Sequence, residues 1–270
     1  MGRSDNQVDK GWAKREFDGV ALGDRRLDRR LLDVAEDLSA MPEDPINQAS
    51  EDWAATKAAY RLFDNGKISA EKVITPHRER TIERMRGESV VLVVQDTTYL
   101  NYSKHEKTVG LGPIGDSRTA AQGLIMHSAL ALTPAGLPLG LLAQKIWARP
   151  KNKKVAPVRK KKAIEDKESY RWIETLRETV RMAPPGLQVV TVCDRESDIY
   201  EFFVEADNLS APFVVRAAWD RGLQDDDHSN LWELVEAQRC AGRITVELPD
   251  KSVSKSKMLE LEVRFAEAPI

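Results

Sequence analysis

The sequence predicts a mixed α/β protein in which a helical amino-terminal region precedes a mixed sheet with flanking helices. Three observations carry this expectation. Up to about residue 85 apolar residues recur at helical spacing, with Leu27, Leu31, Leu32, Val34, Ala35 and Leu38 on one face of a segment that Asp24 can cap. From Val90 the pattern changes to short apolar runs rich in β-branched residues. Two of these runs, Ser89 to Asp96 and Gln188 to Asp194, end on an aspartate followed by polar residues.

Trp12, Ala13 and Phe17 form a first short apolar face. The helix after Asp24 carries Arg25, Arg26, Arg29 and Arg30 opposite its leucines. A solvated face relieved by Asp28 and Asp33 is one reading, and arginines gripping phosphates near a helix start is the other. Pro42 to Pro45 breaks this helix, and Ser50 to Leu62 forms another with Trp53, Ala54, Lys57, Ala58 and Tyr60 along it. Ser69 to Met85 leads into the core, with His77 exposed on it.

In the second region, Gly110 to Gly115 lacks the Gly-Lys-Ser or Gly-Lys-Thr ending of a phosphate loop and reads as a turn. Gly123 to Leu132 and Leu137 to Trp147 flank Thr133-Pro-Ala-Gly136 as an antiparallel hairpin, making a three-stranded meander with the Asp96 strand. Glu165 to Met182 is a helix with Trp172, Ile173 and Leu176 buried, stopped by Pro184-Pro185-Gly186. Val189 to Cys193 reads as a strand buried on both faces. Asp194 then stands at a turn into a helix that Ser197 can cap and that Ile199, Phe202 and Phe203 pack. Pro212 to Trp219 is a further buried strand and Leu231 to Cys240 a short helix, while Arg243 to Leu248 and Met258 to Phe265 alternate as half-exposed strands.

At 270 residues, 41% hydrophobic and 31% charged, the chain can bury a sizeable core. A net charge of -2 exerts no global pull on nucleic acid, so any such binding falls to local basic clusters. No apolar run approaches the roughly 18 residues of a membrane span, and Met-Gly-Arg-Ser-Asp-Asn is no signal core, so a cytoplasmic protein without membrane contact is expected. Cys193 and Cys240 are too few for a disulfide framework and read as buried apolar residues; the histidines have no zinc spacing.

A carboxylate at the carboxyl end of a buried strand lies where open α/β sheets bind ligands. Either aspartate alone is equally an ordinary turn residue. If the strands are neighbours, two like charges about 4 Å apart repel by roughly 4 kcal/mol at an effective dielectric near 20, and need a shared proton or a cation. Hard oxygen ligands favour magnesium or manganese over zinc. Asp225-Asp226-Asp227-His228 reads as a solvated turn, because consecutive residues of a regular element cannot all face one ion. Lys151, Lys153, Lys154, Arg159 and Lys160 to Lys162 form a basic stretch, read as a solvated loop or as a contact to a DNA backbone.

Val94-Gln95-Asp96-Thr97-Thr98 with Val192-Cys193-Asp194-Arg195-Glu196-Ser197-Asp198-Ile199-Tyr200 resembles the catalytic core of bacterial cut-and-paste transposases. These are the DDE class with a ribonuclease-H-like core, in the transposon-five-like group. Trp12-Ala-Lys14, Ala21-Leu-Gly-Asp24, Ala59-Tyr60-Arg61 and Trp147-Ala-Arg149-Pro150 resemble that group in order and spacing, so the likeness spans nearly the whole chain.

The resemblance implies three regions: residues 1–85 as a helical domain binding transposon-end double-stranded DNA, 86–222 as the first part of the catalytic core, and 223–270 as the start of an inserted β-rich domain. It implies Asp96 and Asp194 as catalytic ligands of Mg2+ or Mn2+, and DNA contacts at Arg26, Arg30, Arg61 and Arg216. For the full-length family it implies a homodimer, and for this chain a cytoplasmic, nucleoid-associated location. Tyr170-Arg171-Trp172-Ile173-Glu174 echoes the family's tyrosine, arginine and glutamate motif, but Glu174 precedes Asp194, whereas the family's third acid follows the second aspartate. A truncated transposase, inactive alone, is therefore expected; a DNA-binding remnant competing for transposon ends and a metal-dependent nuclease of the same fold are the alternatives.

Overall fold

The structure, a computed structural model, describes residues 11–115, 120–151, 162–224, 230–248 and 257–268. The stretch 152–161 and the cluster 225–228, both singled out above, lie outside the described residues apart from Lys151 and Lys162. The chain divides into two units, Met1–Val215 and Arg216–Ile270.

In the first unit, helices begin where a side chain can accept an orphan N–H. After α1 (Trp12–Glu16), the Asp24 carboxylate accepts the Arg26 N–H and starts α2 (Arg25–Ala40). The short α3 (Ile46–Ala49) follows Pro45, Asp52 accepts from Ala55 N to start α4 (Trp53–Phe63), and Ser69 accepts from Lys72 N to start α5 (Ala70–Met85). Leu22, Leu27, Leu31, Val34, Ala59 and Leu62 close one apolar cluster between α2 and α4. Burying each leucine contributes roughly 1.5–3 kcal/mol.

The sheet comprises β1 (Val90–Asn101), β2 (Gly112–Pro113), β3 (Gln122–Leu132), β4 (Pro138–Trp147), β5 (Gln188–Cys193) and β6 (Phe213–Val215). β3 runs antiparallel to β1 and β4, which is the expected meander, and also to β2, two residues of the stretch read as a turn. β5 lies parallel to β1 and to β6. β6 covers only three residues and is largely exposed instead of running buried to Trp219, because among the described residues it pairs with β5 alone at the sheet edge. The fold class is therefore the mixed one the sequence predicts. Between β4 and β5 the chain passes through a 3-10 turn (Ile164–Asp166) and α6 (Tyr170–Met182), whose Trp172, Ile173 and Leu176 are buried. α7 (Tyr200–Asn208) joins them with Phe202 and Ala206 against Cys193.

Side chains of α5 tie down β4. Arg78 Nε donates to Leu142 O at 2.7 Å, Arg84 Nε to Leu139 O at 2.6 Å, and Leu141 N to His77 Nε2 at 2.9 Å, so strand groups that a neighbouring strand would otherwise seek are satisfied. His77 is thus not simply exposed. Its Nε2 accepts, so Nδ1 carries the hydrogen and donates to Glu16 Oε1 at 2.6 Å. Gly140 sits under this helix at φ 139°, where a Cβ would strike the Thr81 hydroxyl.

Other expectations are corrected. β5 is not buried on both faces: Val189, Thr191 and Cys193 are buried while Val190 and Val192 are half-buried, because the packed helices contact the first set. The helix after Asp194 does not start at once. A 3-10 turn (Arg195–Ser197) intervenes, and Ser197 Oγ donates backwards to Asp194 O at 2.7 Å instead of capping. Cys193 is buried as expected, which pushes its thiol up to about 12, but Cys240 is exposed.

The second unit holds α8 (Leu231–Glu236) and an antiparallel pair, β7 (Gly242–Leu248) with β8 (Lys257–Val263). The strands alternate apolar and charged residues as predicted, and most of their side chains are exposed. No helix among the described residues is long and apolar enough to cross a membrane.

Candidate functional site

The parallel register of β1 and β5 decides where the two aspartates stand. Val94 pairs with Val192 and Gln95 with Cys193, so one further step along each strand reaches Asp96 and Asp194. Residues in register on parallel strands share a face, and such strands run roughly 4.8 Å apart. The two aspartates therefore lie side by side and exposed, Asp194 just past the carboxyl end of β5 but Asp96, contrary to expectation, in the middle of β1, because pairing with β3 carries that strand on to Asn101.

Each carboxylate is oriented by a backbone N–H. Asp96 Oδ1 accepts from Thr97 N at 2.8 Å, and Asp194 Oδ1 accepts from Glu196 N at 2.8 Å, capping the 3-10 turn. Among the described residues neither aspartate is in an ion pair, and no group of three or more His, Cys, Asp and Glu side chains is gathered as a metal would need. Among the described residues the donor set here is thus two carboxylates.

Beneath the pair, on the helix-covered face, runs a polar network. Arg171, on the second residue of α6, donates through Nε to Thr97 Oγ1 at 3.0 Å and through Nη2 to Glu196 Oε2 at 2.6 Å. Its Nη1 donates to Glu168 O at 2.8 Å. Because the guanidinium only donates, the Thr97 hydroxyl spends its own hydrogen on His127 Nδ1, 2.9 Å away. His127 Nε2–H then faces Gln95 Oε1 at 3.2 Å. The imidazole is neutral: burial first, then the charges of Arg171 and Lys145, hold its pKa down to about 3. Its ring meets Trp172 edge-on at 4.6 Å.

Sequence reasoning picked out the aspartates and missed Arg171, His127, Glu196 and Gln95 as members of one cluster. The available signal was an arginine inside an otherwise buried helical stretch. Glu174 pairs with Lys145 at 2.6 Å, consistent with its reading as part of the crossover helix.

The candidate DNA-contacting arginines are dispersed. Arg26 and Arg30 share one side of α2, where Arg26 is bound to Asp24 at 3.3 Å. Arg61 is exposed on α4, beside Trp53 at 67% exposure and Tyr60 at 54%, with Lys57 over the Trp53 ring at 5.2 Å. Exposed aromatic and basic residues on one helix face are not explained by core packing. Arg216 opens the second unit and is exposed.

Residues 9–68 match the family model described as Transposase DNA-binding. The amino-terminal helices are thus similar to a transposase DNA-binding domain. The match covers α1 to α4, the helices carrying Arg26, Arg30 and Arg61. Among solved structures the chain is similar to one described as the crystal structure of a pre-cleavage Mos1 transpososome, at 13% identity and a TM-score of 0.27. That similarity covers 68% of this chain, which spans 59% of the other.

Proposed function

We propose that this chain is a bacterial DNA transposase of the DDE class, with a ribonuclease-H-like core, acting on transposon-end double-stranded DNA. The observation that carries the reading is the β1–β5 register, which sets two exposed carboxylates next to one another where β5 ends alongside β1. The match over residues 9–68 supplies the DNA-binding half of the argument.

In this reading Asp96 and Asp194 hold a divalent cation, Mg2+ or Mn2+. Their chemistry fits: two hard oxygen donors, turned by backbone N–H groups and free of ion pairs among the described residues. When bound, the cation polarises a phosphoryl oxygen and lowers the pKa of its water. The aspartates orient it, while Arg26, Arg30, Arg61 and Arg216 neutralise phosphates, with Trp53 and Tyr60 offering aromatic faces. A homodimer on paired transposon ends completes the proposal.

The test is nicking of terminal-repeat DNA in Mn2+ by the unmodified chain, Asp96→Asn and Asp194→Ala. Against the inactivity that the resemblance implies, this reading expects nicking by the unmodified chain that is abolished in both variants, with gel-shift affinity retained. Nicking that survives both substitutions would remove the aspartates from the chemistry. The match over residues 9–68 also carries a second reading, a DNA-binding remnant that competes for transposon ends. It predicts a specific gel shift with no metal-dependent nicking by any version.

A further inference from the structure

The proposed cation site needs its two carboxylates held at one spacing, yet they come from separate segments, and among the described residues each carboxylate accepts only from a backbone N–H beside it. Both N–H groups belong to residues that one guanidinium touches. Thr97, whose N–H binds Asp96, accepts Arg171 Nε on its hydroxyl; Glu196, whose N–H binds Asp194, accepts Arg171 Nη2 on its carboxylate. We propose that Arg171 is a positioning residue that clamps the middle of β1 at Asp96 to the turn after β5 at Asp194, at the spacing a shared divalent cation requires. This role rests on the cation site proposed above.

Several features set Arg171 apart from an ordinary ion pair. Its side chain is only 11% exposed, and all three guanidinium nitrogens are committed, to three different partners. A planar fork of fixed geometry transmits the distance between its partners, which a single rotating ammonium does not. The clamp is braced from below, since Trp172 lies 5.5 Å from the guanidinium carbon and Thr97 is held from its other side by His127. Arg171 reaches the sheet on the helix-covered face and makes no bond to either aspartate, so it acts through Thr97 and Glu196.

Partners that orient metal ligands from behind typically carry a 10–100-fold share of metal affinity. The experiment is titration of the full chain with Mn2+, followed by electron paramagnetic resonance, with urea stability measured on the same samples. Arg171→Lys and Thr97→Val are expected to weaken Mn2+ binding about tenfold or more while remaining folded, and the double variant to lose little beyond either alone. Thr97→Ser keeps the accepting hydroxyl but loses the β-branch. It should therefore bind Mn2+ as the unmodified chain does in spite of lower stability, an outcome a purely structural role does not give. Unchanged affinity in Arg171→Lys and Thr97→Val, with Asp96→Asn abolishing binding, overturns the clamp and leaves the cation site standing. Absence of Mn2+ binding by the unmodified chain overturns the site and the clamp together.

Discussion

Replacing His127 by glutamine should flatten the dependence of stability on pH between about 7.5 and 5. His127 is 1% exposed, wedged between Thr97, Gln95 and the Trp172 ring. Its pKa of about 3 in the folded chain lies below the ordinary value of 6.5 that it regains on unfolding. Between those values the unfolded chain binds a proton that the folded one refuses, so stability rises with pH across the window and is lost on acidification. At about 1.36 kcal/mol per pH unit, acidification from about pH 7.5 to pH 5 should cost roughly 2 kcal/mol through this group. Urea unfolding followed by circular dichroism at several pH values gives the two curves. They should converge on acidification by that amount, the glutamine variant being the less stable near neutrality because the ring packing is gone. His77 and the other histidines cancel in the comparison. Parallel curves for the two proteins over that window would show that His127 is not held neutral by burial.

Three further outcomes are expected. Glu168 binds Arg149 at 2.7 Å and 2.9 Å and Trp147 Nε1 at 3.2 Å; burial raises its pKa, but Arg149 outweighs that and holds it below 4.5. Its stabilisation is present above the unfolded pKa and lost as pH falls through the folded one, so Glu168→Gln should cost about 1–2 kcal/mol at neutral pH, with the gap closing in acid. A Cβ at Gly112 would run into the Arg149 backbone, so Gly112→Ala should destabilise the chain by about 1–3 kcal/mol in thermal melts, and an unchanged melting point would refute the close approach. Arg30→Ala combined with Arg61→Ala should weaken binding to terminal-repeat DNA and reduce the slope of log affinity against log salt by about 0.9 per arginine that touches a phosphate. A slope indistinguishable from that of the unmodified chain counts against both contacts.

Much of the secondary structure is written locally. Asp24 and Ser69 cap α2 and α5 because a short polar side chain can reach an N–H two or three residues on, and Thr133 to Gly136 turns the β3–β4 hairpin on its own sequence. The apolar period of Tyr170 to Met182 likewise named Trp172, Ile173 and Leu176 as buried before any partner was known. An aspartate at the end of each apolar run is also a local fact. Their meeting is not, since it depends on β5 entering the sheet parallel to β1 with Cys193 opposite Gln95, a pairing between residues remote in sequence. The same holds for His77 and His127, whose surroundings come from β1, β4, α6 and α1, and for Arg171, whose partners Thr97 and Glu196 come from the middle of β1 and the turn after β5. Caps, turns and amphipathic stripes are short-range competitions among neighbouring groups, and the sequence determines them. Which polar side chain is taken out of water, and what satisfies it there, is settled only when distant strands and helices close over it.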